Sequence, residues 1–85
     1  MTDKSPTKEQ IDAHAYYCGL HAALINAAAV RNALDDLIAD LRGKGDYLMS
    51  DQLRLLSNRL DRSLIYPCPH LARGKFTKRP AEVFL

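Results

Sequence analysis

Residues 7–42, TKEQIDAHAYYCGLHAALINAAAVRNALDDLIADLR, decide the fold. The run is rich in alanine, leucine and other strong helix formers, has no proline, and holds one glycine, Gly19. That composition favours helix throughout, the glycine costing about 1 kcal/mol relative to alanine. Thr7 and Gln10 form a capping box, and Pro6 suits the first turn, so a helix is predicted over 7–42. Tyr16, Leu20, Ala23, Ala27, Val30, Leu34, Leu37 and Leu41 alternate spacings of four and three, the seam of left-handed helix pairing. A second series, Ile11, Ala15, Cys18, Ala22, Ile25 and Ala29, lies roughly 120° away on the helical wheel and stops at Asn32, Asp36 and Asp40. The N-terminal half of this helix therefore carries two apolar stripes and the C-terminal half one.

Gly43-Lys44-Gly45-Asp46 ends the helix with glycine past its last turn. Ser50 reads as the N-cap of a second helix over 50–66, after a short apolar lead-in of Tyr47, Leu48 and Met49. Leu53, Leu56, Leu60 and Leu64 form its apolar stripe, and Arg54, Asn58, Asp61 and Arg62 its polar face. Pro67 stops it, because the residue before a proline disfavours helical geometry. A short turn makes the two helices antiparallel neighbours, with Asp51 opposite Leu41 and Tyr66 opposite Asn26. The fold class is all-α: an antiparallel helical hairpin (7–66), a disordered N-terminus (1–6), and an extended tail (67–85) with Leu71, Phe76, Val83, Phe84 and Leu85 as anchors.

The second helix is about half the length of the first and covers only the Ala27-to-Leu41 part of the seam. Burying one Leu or Ile is worth about 1.5–3 kcal/mol, and a single chain of 85 residues has little core to spare. The uncovered second stripe thus predicts a homodimer that dimerises into a helical bundle through Ile11, Ala15, Cys18, Ala22, Ile25 and Ala29.

Bulk properties exclude more than they identify. Hydrophobic residues at 47% are too many for a disordered chain. Twelve basic against ten acidic residues, net +2, do not imply a nucleic-acid partner. The polar N-terminus lacks the apolar core of a signal peptide, and the least polar run, Leu20 to Val30, is roughly half a membrane span. A cytoplasmic setting follows, with Cys18 and Cys68 as reduced thiols or metal ligands rather than a structural disulfide.

The sharpest chemical constellation is His14, Cys18 and His21 on the first helix with Cys68 and His70 beyond the second. The hairpin register brings Cys68 toward His21, and histidine with cysteine is a set zinc accepts. The spacing matches no standard zinc finger, and the same residues also suit stripe edges and half-buried thiols. Cysteine–histidine catalysis would need a pocket that so small a hairpin has little room to build. Asp35, Asp36 and Asp40 read as a solvated helix face. Arg73, Lys75, Phe76, Lys78 and Arg79 form a basic tail that, with Arg54, Arg59 and Arg62, could engage phosphates of a nucleic acid or a nucleotide.

The sequence thus points to a small non-enzymatic protein-binding module, an adaptor, modulator or inhibitor, with no required cofactor. Its expected partner surface is Tyr17, His21 and Leu24 with Arg73, Lys75, Phe76, Lys78 and Arg79. Nucleic-acid or nucleotide binding and a zinc-stabilised module are the alternatives.

Overall fold

A computed structural model describes residues 8–83, and their side chains from residue 19 onward. Helix α1 spans Lys8–Gly43 and α2 spans Tyr47–Ile65, followed by a 3₁₀ turn at Pro69–Leu71 and a one-turn helix α3 at Pro80–Val83. At 1.5 Å per residue, α1 is about 54 Å long and α2 about 28 Å. The first helix therefore runs well past the second at its N-terminal end. No described helix is long and apolar enough to cross a membrane.

The turn between the helices is a Schellman cap. Gly45 donates to the Arg42 carbonyl at 3.1 Å and Asp46 to the Leu41 carbonyl at 2.9 Å, with Gly45 at φ +83°. A side chain at Gly45 would meet no neighbour, so only the backbone resists it. Gly45→Ala is expected to lower stability by about 1–2 kcal/mol, the ordinary cost of the left-handed conformation, measurable as a shift in urea midpoint.

Helix α2 begins three residues earlier than the sequence suggests. Asp46 is its cap, its carboxylate accepting from Met49 N at 3.3 Å. Ser50, the expected cap, is instead fully buried inside the helix, with its hydroxyl 3.4 Å from the Ile38 carbonyl. The small hydroxyl side chains of Ser50 and Ser57, both at 0% exposure, let α2 lie close against α1. The expected register holds: Arg31 meets Asp61 at 2.9 Å, and Arg42 meets Asp51 at 3.6 Å.

The face that α1 turns to α2 is not the seam. Ala28, Arg31 and Ile38 are buried, whereas Val30 and Leu37, two of the central seam positions, are 43% and 47% exposed. Ala28, Leu64 and Leu71 form the core, with Leu24, Ile25, Ala27, Leu60, Cys68 and Phe76 packed around it. The tail supplies part of this core from its own chain. It is less extended than expected, because Pro69 starts a 3₁₀ turn and Pro80 a helical one.

Candidate functional site

The tail is fixed to α1 by two reciprocal sets of hydrogen bonds. In the first, α1 reads the tail's backbone. Arg31 donates to the Leu71 carbonyl and, at 3.3 Å, to that of Phe76. Asn32 Nδ2 donates to the carbonyls of Phe76 at 2.9 Å and Lys78 at 2.8 Å, while its Oδ1 accepts from Arg31 at 2.8 Å. In the second, the tail's arginines grip α1. Arg73 bonds both oxygens of Asp35, from Nε at 2.7 Å and Nη2 at 3.3 Å, and Arg79 forks onto Asp36 at 2.8 and 2.9 Å. Such two-point contacts between guanidinium and carboxylate fix direction as well as distance. Ser57, Asn58 and Asp61 of α2 also bond Arg73. No buried side-chain polar atom among the described residues lacks a partner.

These contacts correct the reading of Asp35, Asp36 and Asp40 as a solvated face, since Asp35 and Asp36 hold the tail's arginines while Asp40 pairs with Lys44. The second stripe does not end at Asn32; it changes from apolar to polar and continues as the dock for the tail. The signal was present as two acids on α1 and two arginines in the tail, each able to neutralise the other. Arg31, the residue at the centre, stood out in neither stripe.

The Arg79 hydrogen bonds hold the Asp36 carboxyl below its ordinary value, with the guanidinium charge adding to the effect, and Asp36 in turn raises Arg79. A carboxyl depressed in the folded state stabilises above its unfolded value and loses that contribution as pH falls through its folded value. The protection of backbone amides around Lys78–Val83, taken relative to their intrinsic exchange rate at each pH, is therefore expected to fall on the acid side of the carboxylate range. Arg79→Gln should remove that step.

Docking the tail on one side leaves the other side open. On α1, Asn32 and Asp36 face the tail; on α2, Asn58 and Asp61 do so. In an antiparallel pair, the flanks opposite these residues lie together on one face of the hairpin. On α1 that flank holds Ala23, Ala27, Val30, Leu34, Leu37 and Leu41, which is the four-three seam. On α2 it holds Met49, Leu53, Leu56 and Leu60, of which Met49 and Leu56 are 44% and 55% exposed. Val30 and Leu37 of the four-three seam are thus exposed beside Met49 and Leu56 of α2, while Ala27 and Leu60 of the same flank pack against the core.

The residues expected at the sites are distributed differently. Among the self-association set, Ala29 is fully buried and Ile25 packs on the core, so that end of the stripe is spent within the chain. Ala22 is exposed. The side chains of Ile11, Ala15 and Cys18 lie outside the described residues, as do those of His14 and Tyr17. In the partner set, Arg73 and Arg79 are committed to Asp35 and Asp36, Phe76 and Leu24 pack on the core, and Lys75 and Lys78 are exposed. Within the metal set, His21, Cys68 and His70 come together; Cys68 is a free thiol.

Comparison with known proteins finds no matching family model, no matching curated protein and no matching solved structure.

Proposed function

We propose that the chain is a non-enzymatic helical binding module that pairs with a second copy of itself through the open apolar face. The observation that carries this reading is the exposure of Val30, Leu37, Met49 and Leu56 on one side of the hairpin. An isolated apolar residue on a surface needs no partner, but a contiguous patch with heptad spacing marks an interaction face. Burying the exposed half of each of these four side chains is worth about 1 kcal/mol apiece in each chain. Two hairpins joined in this way form a four-helix bundle, a plan whose core is built from such positions.

The interface moves from the Ile11-to-Ala29 stripe to the seam, because the tail already covers the C-terminal part of that stripe. The projecting N-terminal part of α1 then remains for a different protein, in keeping with an adaptor or modulator. The nucleic-acid alternative loses support from the same geometry, since the carboxylates of Asp35 and Asp36 neutralise Arg73 and Arg79.

Linked folding and association make melting depend on concentration. The melting temperature is expected to rise with protein concentration across the micromolar range. A constant value would count against self-association.

A further inference from the structure

His21, Cys68 and His70 bring ligand atoms from two separate parts of the fold to one spot. One nitrogen of each imidazole and the Cys68 sulfur all lie within 4.8 Å of one another, and the two rings stand 5.8 Å apart between centroids. A tetrahedral zinc ion, with Zn–N of about 2.0–2.1 Å and Zn–S of about 2.3 Å, requires ligand atoms roughly 3.3–3.7 Å apart. Closing the set takes about 1 Å of side-chain adjustment.

The backbone beneath these ligands is well anchored. Cys68 N donates to the Leu64 carbonyl, and Leu71 N to the Cys68 carbonyl, both at 3.0 Å. Leu64 and Leu71 are core residues, and Pro67 and Pro69 flank the cysteine. On α1, His21 lies one turn before Leu24, which packs against the same core. Both imidazoles are exposed and the thiol is half-buried, so an ion has a path in and the thiol is shielded on one side. Leu20, His21, Leu24, Pro67 and Cys68 line a mostly apolar depression of about 370 Å³ beside the cluster.

We propose that His21, Cys68 and His70 supply three ligands, among the described residues, to a binding site for a borderline-soft divalent ion, zinc foremost. Each histidine gives a nitrogen lone pair. Cys68 gives its thiolate, and the thiol proton passes to solvent as the sulfur–metal bond forms. No oxidation is involved. The bound ion ties α1 to the segment leaving α2, at the point where α1 begins to project beyond the hairpin. It thereby fixes the start of the tail. The site lies on the tail side, away from Val30 and Leu37, and stands apart from the self-association reading.

Cobalt(II) titration of the full chain under reducing conditions, with native mass spectrometry, tests the proposal. The expected result is one cobalt per chain, a thiolate-to-cobalt charge-transfer band, and displacement by zinc. Zinc should raise the melting temperature and a chelator should reverse the rise. Cys68→Ser should abolish the charge-transfer band with the helical content unchanged. His21→Ala and His70→Ala should each weaken binding at least about tenfold, the lower end of the loss seen when even an outer-shell partner is removed. His14 is seven residues before His21, about 10 Å along the helix, so His14→Ala should leave binding unchanged. Absence of the thiolate band in the unaltered chain would overturn the proposal. So would equal affinity in the unaltered chain and the H21A/C68S/H70A variant, or loss of binding in H14A.

Discussion

Replacing Arg31 by alanine is expected to cost about 3–5 kcal/mol of folding stability, the usual loss when one partner of a buried ion pair is removed. Arg31 is fully buried, and it joins three parts of the fold: Asp61 of α2, the Leu71 carbonyl of the tail, and Asn32 beside it on α1. Its removal leaves a carboxylate and a carbonyl short of a donor and opens a cavity between α1 and the 3₁₀ turn. Small domains are stable by only about 5–15 kcal/mol in total, so this loss would leave a substantial unfolded population. The pair itself need not be worth that much, because desolvating two charges offsets most of their attraction. Arg31→Met combined with Asp61→Leu, which removes both charges, is therefore expected to recover only the part of the loss that comes from leaving Asp61 unpaired, because the Leu71 carbonyl and Arg73 N stay short of a partner. Urea denaturation of the two single variants and the double variant measures the coupling directly. A loss below about 1 kcal/mol for Arg31→Ala would mean that the tail is held chiefly by Leu71 and Phe76 rather than through this side chain.

Leu37→Glu is expected to have the second large effect, on association rather than on folding. In the single hairpin Leu37 is nearly half exposed, and a surface substitution of that kind changes stability by about 0.5 kcal/mol or less. At the centre of a bundle the same change places a carboxylate among leucines with no partner. The cost there is several kcal/mol, and each 1.4 kcal/mol is tenfold in affinity. The dimer should weaken by more than about a hundredfold while the helical signal stays as in the unaltered chain. Leu55→Glu makes the comparison sharp. Leu55 is more exposed still, but it lies on the outer side of α2, away from both the seam and the tail, and its replacement should leave association intact.

The hairpin was legible because its determinants are local. Gly45 fixes the end of α1, Pro67 follows the end of α2, and the short turn between the helices sets the register in which Arg31 meets Asp61. The convergence of Cys68 on His21 followed from that same register. What escaped was the direction in which α1 faces α2. Apolar periodicity selects Val30 and Leu37, and it treats Arg31, Asn32, Asp35 and Asp36 as a surface. The chain buries Arg31 and Asn32 because the tail returns with carbonyls and arginines that satisfy them, a long-range match of polar groups that periodicity does not register. The start of α2 was missed for a related reason. Ser50 is as good a cap as Asp46 by residue type, and only the Schellman geometry at Gly45 places Asp46 where its carboxylate reaches Met49 N.

Val30 and Leu37 of the α1 seam are exposed, and in the proposed pairing they meet a second hairpin. Sedimentation equilibrium of the unaltered chain and of Leu37→Glu, run side by side at micromolar concentration, tests it most directly. The expected result is the mass of two chains for the first and of one chain for the second. One-chain mass for both, or two-chain mass for both, would contradict it.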